Sequence, residues 1–420
     1  MASARSVLYL WWALASAAQV AAQEPLSLED ALREVRAANA GLPVAHFDTL
    51  LARARVREAR GALGPRFALD GDVHGGTPPA YSGSDGRLQL TGDQTLYAGG
   101  GLRAGVRMTE AQARAAGARY RVAEKDLELE VRSRFSEFLK IDEERAFRRE
   151  GIARLGTYLS GIESRLAAGQ GVAEDLAKTR VRLGAETADL ADAERRLDEA
   201  RLELNDLLGR VPDATLTLAP LPPPAVLAPD STAEAWAIGP DVRSADANVD
   251  AAAAGVAVAR AAQRPRLAVN ADAGVEPLFP GTDVGTGLNT GQGWGMEVTL
   301  SLSLPIWDAG VTSARVTQAQ LGADQARQTA TVVRRQARLE WLRAGAALAS
   351  LYRQVEVRRR NLPIAQDSYL QAQSLYRGGA ATALDVLDAY AAWIDASEAA
   401  AEAVLSYRVA EARLVRWGTP

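Results

Sequence analysis

Two aspartates, Asp385 and Asp388, stand three residues apart in the stretch YRGGAATALDVLDAY, from Tyr376 to Tyr390. Residues at this spacing share a helix face, so the pattern points two carboxylates the same way just after the helix-breaking pair Gly378-Gly379. Carboxylates so arranged can gather cations by charge alone. They can equally be the acids of a helix N-terminus, which the helix macrodipole favours. Which role applies depends on what the rest of the chain builds.

Other candidate chemistry is thin. The histidines, His46 and His74, lack a ligand spacing such as H-E-x-x-H and read as surface or packing residues. LYAGGGLRAG (Leu96 to Gly105) has the glycines of a phosphate loop without its Lys-Ser/Thr. Its counterpart IWDAGVTSAR (Ile306 to Arg315) has lost most of those glycines, so both read as strand-to-helix turns. No catalytic residue, dedicated metal site or cofactor is expected, and the chain reads as a non-enzyme. It has no cysteine, which excludes disulfides, thiolate metal sites, a cysteine nucleophile and a lipid on an N-terminal Cys. With 52 acidic and 48 basic residues, it offers no case for nucleic acid.

The first 22 residues have the layout of a secretory signal peptide: Arg5, an apolar run from Val7 to Ala15, then small residues with Val20 and Ala22 at −3 and −1 of a cleavage site. The run is shorter than the roughly 20 apolar residues of a membrane anchor. No later stretch reads as a spanning helix, because charges interrupt every apolar run.

The elements that must position the aspartates come from an internal duplication. ARGALGPRFAL (Ala59 to Leu69) aligns with ARAAQRPRLAV (Ala259 to Val269) at an offset of 200, and LYAGGGLRAGV (Leu96 to Val106) aligns with IWDAGVTSARV (Ile306 to Val316) at 210. The offset of 210 persists at Gly169/Gly379 and Asp175/Asp385, so one ten-residue insertion separates the halves. A first repeat is expected over 23–210, with strands near 66–74 and 87–97, a long helix 102–167 and a helix 172–209. A proline-rich linker, 211–230, leads to a second repeat over 231–420, with strands near 266–275 and 294–305, a long helix 312–377 and a helix 382–416. Each repeat opens with one helix that runs to just before Pro65 or Pro265 and is capped by SLED (Ser27, Asp30) or STAE (Ser231, Glu234).

The strand regions alternate with period two. Phe67, Leu69 and Val73 oppose Asp70, Asp72 and His74, and Met296 to Leu304 oppose Glu297, Thr299, Ser301 and Ser303. Such strands have the length that crosses a bilayer when tilted, and Trp294, Trp307 and Tyr97 suit its interfaces. An ordinary amphipathic sheet packed on helices fits the pattern as well. The long helices would each span roughly 100 Å at 1.5 Å per residue, so they must pack sideways as coiled coils. Pro363 is expected to kink or interrupt the second one. Four strands cannot close a barrel, and open edges are not tolerated in lipid. If the strands are in a membrane, several chains must share one barrel, with the helices forming a second, coaxial tube.

The duplicated LYAGG and IWDAG elements, the two segments ending in Pro-Arg, and YRGGAATALDVLDAY together resemble the TolC-type outer-membrane efflux protein family over almost the whole mature length. The resemblance implies an α+β membrane protein: a homotrimer with a twelve-stranded β-barrel in the cell outer membrane, continued across the periplasm by a helical tunnel. It implies a tunnel tip docked to a periplasmic adaptor and an inner-membrane pump, either proton-driven or an ABC transporter. At that tip Asp385 and Asp388 would form stacked carboxylate rings at the narrowest point, favouring cations and binding a plugging divalent ion. Gly169, Gly171, Gly378 and Gly379 would make the tip turns. Tyr376 and Asp175 match the pair that latches the gate, while Ala381 stands where the family pattern has an arginine; either another residue, with Arg377 a candidate, supplies that contact, or the closed state is held less firmly here.

Three functions follow for testing: efflux of small molecules, export of a polypeptide by a type I secretion system, or a periplasmic coiled-coil scaffold with no pore. With three methionines in the chain, no soft-metal cluster points to a copper or silver exporter.

Overall fold

The computed structural model describes residues 24–38, 41–76, 83–225, 235–276 and 293–417. The signal segment, the STAE segment (Ser231, Glu234), the last part of the linker and parts of both hairpin tips lie outside them. The elements in order are α1 (Leu28–Ala38), α2 (Gly41–Gly61), β1 (Arg66–Gly76), β2 (Gly83–Ala98), α3 (Gly101–Ala167), α4 (Ala173–Leu207), a short 3-10 turn (Ala235–Ile238), α5 (Pro240–Ala261), β3 (Arg266–Glu276), β4 (Gly293–Ser303), α6 (Val311–Arg377) and α7 (Ala383–Val415). The duplication is visible in the lengths, since α3 and α6 have 67 residues each.

Three expectations need correction. The opening helix of the second repeat, α5, starts at Pro240 with Gly239 at its N-cap and follows a 3-10 turn, so the STAE segment does not cap it. The single opening helix of the first repeat is two helices, α1 and α2. Pro43 has no amide hydrogen to donate, so it is tolerated in the first turn of a helix and not in its interior; it sits in the first turn of α2. Pro363, by contrast, does not interrupt α6. Its neighbours Leu362 and Ala365 pack against a buried aromatic cluster, and this packing holds the turn in which one backbone hydrogen bond is missing.

The chain divides into two units, 1–40 with 125–231 and 343–420, and 41–124 with 232–342. The second unit holds the sheet, antiparallel in the order β1-β2-β3-β4. Its register stacks like on like. Leu69 pairs with Leu90, Leu90 with Ala273 and Ala273 with Met296. On the other face Arg66 pairs with Asp93, Asp93 with Asn270 and Asn270 with Thr299. The Phe67 ring lies over Gly92, its cross-strand partner, so an aromatic covers the strand glycine. The register shifts between Thr95 and Tyr97, a bulge that leaves Leu96 without a cross-strand partner.

The apolar face is not packed on anything in this unit. Phe67, Leu69, Val73, Met296, Val298, Leu300 and Leu302 are each between 59% and 74% exposed. A soluble sheet would bury such a stripe. This excludes the ordinary sheet packed on helices for that face.

Each sheet hairpin passes into a long helix through a turn that the two repeats solve differently. Gly99 has φ +61, and a Cβ there would lie 2.6 Å from the Ala261 carbonyl oxygen and 2.6 Å from Arg264 Cβ. Its equivalent, Ala309, takes φ 54 as a non-glycine residue, beside Asp308, whose carboxylate accepts from the backbone N–H of Gly310 and Thr312. Left-handed backbone costs a non-glycine residue about 1–2 kcal/mol. Gly99→Ala should therefore cost at least about 2 kcal/mol, because overlap adds to that strain, whereas Ala309→Gly should gain about 1 kcal/mol. Opposite shifts in the thermal unfolding midpoint of the two purified variants would check this, and equal shifts would refute it.

The first unit is helical. Its N-terminal strap is tied to the linker: Leu26 bridges Leu218 in parallel, Arg210 grips Glu34 through two bonds of 2.6 Å, and Asn205 donates to the carbonyls of Pro212 and Ala214. The linker up to Ala225, whose carbonyl accepts from Tyr407, is thus an extended segment bonded to helices.

Candidate functional site at the helix turns

Within the helical unit, two turns end the long helices, α3 into α4 and α6 into α7. Both close in the same way. Gly169 N–H donates to Leu166 and Gln170 to Arg165, as Gly379 does to Tyr376 and Ala380 to Leu375. Gly169 and Gly379 have φ +73 and +76, the left-handed residue that this helix ending needs. Gly171 is required by proximity, since a Cβ there would meet the Leu166 backbone nitrogen at 2.8 Å. Gly378 has neither constraint and takes an ordinary backbone conformation.

The helices that follow begin differently. Thr382 caps α7 in a reciprocal box: its hydroxyl accepts from Asp385 N–H at 3.2 Å, while the Asp385 carboxylate accepts from Thr382 N–H at 2.7 Å. These bonds from the Thr382 backbone and hydroxyl hold the Asp385 carboxyl below the usual aspartate range. The position equivalent to Thr382 is Val172, which offers no side-chain cap to α4. Asp175, the counterpart of Asp385, is therefore free of that duty, and its Oδ2 accepts from the Tyr376 hydroxyl at 3.1 Å.

Asp385 is thus a capping residue, and its carboxylate is exposed as well. Asp388, one turn on, is exposed, and among the described residues no hydrogen bond or ion pair engages it. Arg377 is likewise exposed and unengaged among the described residues.

Tyr376 is 8% exposed, packed edge-on against Tyr158 at 5.3 Å between ring centroids. Burial and the adjacent Asp175 carboxylate push its phenol pKa up, which keeps the hydroxyl protonated and donating. Arg165 of α3, which the sequence did not single out, reaches the same residue twice. Its Nη1 donates to the Tyr376 carbonyl at 2.8 Å, and its guanidinium carbon lies 5.0 Å from the ring centroid.

Further along the same helices lies an aromatic cluster. Tyr369 stacks on Trp393 at 5.6 Å with Tyr390 edge-on to both, and all three are buried. Gly151 of α3 leaves room for the Tyr390 hydroxyl, which any Cβ there would strike. Arg154 and Arg182 lie over the Trp393 and Tyr390 rings at 5.2 and 5.4 Å. Next comes an ionic knot at Arg148, 12% exposed by its side chain. It pairs with Glu398 of α7, with Asp189 of α4 at 3.0 Å, with Glu186 of α4 at 3.2 Å and with Glu144 of its own helix at 3.5 Å. None of this was singled out from the sequence. Arg148 and Arg165 are two of many arginines on α3, and nothing in their spacing marks them.

Of the aromatics expected at membrane interfaces, Trp294 (77% exposed) is the second residue of β4, Trp307 (85% exposed) follows the end of that strand, and Tyr97 is 47% exposed near the end of β2. His46 packs edge-on against Tyr120 at 5.9 Å, and the His74 side chain is outside the described residues. Chemically, the site is a set of polar links that fasten helix ends to one another beside exposed carboxylates.

A family model described as outer membrane efflux protein matches residues 31–210 and 233–417. The outer membrane efflux protein BepC of Brucella suis biovar 1 (strain 1330) is 25% identical over 343 residues, covering 79% of this chain and 72% of that protein. The outer membrane protein VceC of Vibrio cholerae has the same fold at a TM-score of 0.81 and 18% identity, over 93% of this chain and 95% of that one. The open-state outer membrane channel MtrE of Neisseria gonorrhoeae gives 0.75 and 22%, over 93% and 88%.

Proposed function

Because this chain belongs to the outer membrane efflux protein family, and so resides in the outer membrane and extends into the periplasm, we propose that three copies form a gated exit duct. Docked to a periplasmic adaptor and an inner-membrane pump, the duct carries small molecules, or a polypeptide of a type I secretion system, out of the cell.

The observation that carries this reading is the sheet. Its apolar face is exposed, and β1 and β4 each have one unpaired edge. In lipid an exposed apolar face is favourable, but each unpaired backbone group costs several kcal/mol. Copies must therefore pair edge to edge. Three copies of four strands give twelve, an even number in the range of bacterial outer-membrane barrels. The polar face, with Arg66, Asp93, Asp272 and Glu297 in cross-strand rows, then lines an aqueous lumen.

The exposure of Asp385 and Asp388 on one face of α7 supports their reading as carboxylate rings in the trimer, with a divalent cation as the natural plug. Tyr376 and Asp175 act as a latch between α6 and α4. The turns at Gly169, Gly171, Gly378 and Gly379 form the tip offered to the adaptor.

Single-channel conductance in a planar bilayer tests the reading. Wild-type protein should show a small, cation-selective conductance blocked by divalent cations. Asp385→Asn with Asp388→Asn, which removes the charges yet keeps an acceptor for the Thr382 cap, should weaken that block at least tenfold. Folded, oligomeric protein that conducts nothing would sink the pore and favour the periplasmic scaffold.

A further inference from the structure

We propose that Arg165 is the cation of the tip latch, supplied by α3 in place of an arginine at position 381. The inference rests on the gated-duct reading above and identifies what holds its closed state. A latch made only of the Tyr376 hydroxyl and the Asp175 carboxylate has a weakness. The phenol is carried by the second-to-last residue of a 67-residue helix, and its 3.1 Å bond survives only while ring and backbone stay in place.

Arg165 fixes both. Its guanidinium donates to the Tyr376 carbonyl, one of the last carbonyls of α6, which also accepts from Gly379 N–H in the turn, so the side chain is tied to the helix ending itself. A cation there also meets the negative end of the α6 macrodipole. The same planar group lies over the Tyr376 ring, while Tyr158 bounds the ring edge-on. Held between the two, the ring keeps its hydroxyl on Asp175. Arg165 leaves α3 just before the Gly169 turn, and Asp175 lies just after it, so a single turn supplies both the clamp and the acceptor. The alternative cation fails on geometry, because Arg377 is exposed and unengaged among the described residues. Residue 381 is an alanine packed against the aromatic cluster.

Arg165 acts through Tyr376, so it is a positioning residue, and two readouts of purified wild type, Arg165→Ala, Arg165→Lys and Arg377→Ala separate it from a general stabiliser. The first is single-channel conductance; the second is amide hydrogen exchange of residues 376–382. Arg165→Ala should raise the mean conductance and speed exchange of the turn at least tenfold, with the midpoint of thermal unfolding little changed. Arg165→Lys, which keeps the charge but not the flat stack, should fall between, and Arg377→Ala should match wild type. A rise in conductance is a gain that misfolding cannot imitate, and the lysine variant serves if the alanine variant does not fold. Wild-type exchange and conductance in Arg165→Ala would overturn the proposal, as would an equal effect of Arg377→Ala. Accelerated exchange with no conductance in any variant would uphold the clamp and refute the duct.

Discussion

Arginine at Met296, Val298 and Leu300 together should remove the protein from the outer membrane. These three residues lie on one face of β4, each at least 59% exposed, and their cross-strand partners are Ala273, Ala271 and Val269. On the lipid side of a barrel, an arginine costs about 2–4 kcal/mol at the bilayer midplane and about 0–1 near the interfaces. Three near the middle of an 11-residue strand amount to roughly 6–12 kcal/mol, comparable to the whole stability of a typical domain. The matched control exchanges Glu297, Thr299 and Ser301, on the lumenal side of the same strand, where arginine meets water. Fractionation should find the first variant degraded or soluble in the periplasm and the control in the outer membrane with wild type. A triple variant that stays in the membrane at wild-type levels would refute the lipid-facing assignment and revive the scaffold.

Arg148→Ala should destabilise the helical unit well beyond what a surface ion pair contributes. Glu186 is 1% exposed and Glu144 is 7% exposed by side chain. Removing one partner of a buried ionic set costs about 3–5 kcal/mol, because the remaining charges stay buried with less compensation. Arg182 still reaches Glu186 and Arg196 still reaches Glu144, at 2.7 and 2.6 Å, which places the expectation at the low end, about 3 kcal/mol. Arg148→Met with Glu186→Leu should cost less than Arg148→Ala alone, since the pair is replaced by apolar volume. Chemical denaturation of the purified variants measures both, and a loss under about 1 kcal/mol for Arg148→Ala would place this knot among surface pairs. The knot also shapes pH behaviour. Burial opposes ionisation of Glu144, yet hydrogen bonding and charge from Arg196, with Lys140 and Arg148 adding to it, hold its carboxyl below the usual glutamate range. Its contribution is thus present above that range and lost as acid protonates it.

The two predictions probe different kinds of information. The exposed apolar face was legible because a strand repeats every two residues, so Met296, Val298, Leu300 and Leu302 announce their shared side without knowledge of any partner. The long helices were legible from their composition, and the helix endings at Gly169 and Gly379 from the glycine itself. The place of Asp385 among the acids of a helix N-terminus was legible too, as one of two readings, whereas its reciprocal cap with Thr382, three residues away, was not read. Of the kink or interruption expected at Pro363, the interruption did not occur, and Leu362 and Ala365 beside it pack against the aromatic cluster.

What the chain alone determined is what depends on near neighbours: the period of each element, the caps and turns, and, through the duplication, the fact that two repeats share one plan. It could not determine which side chains meet across the repeats. Tyr376 and Asp175 are 201 residues apart, Arg165 and Tyr376 are 211 apart, and Arg148 and Glu398 are 250 apart. Such pairs carry no signature in spacing, because their distance is fixed by how α3, α4, α6 and α7 pack and not by any helical period. The duplication even obscured them, since Val172 and Thr382 occupy equivalent places and yet send Asp175 and Asp385 to different partners. That divergence rests on a single hydroxyl, and only the packed structure shows what the freed carboxylate then holds.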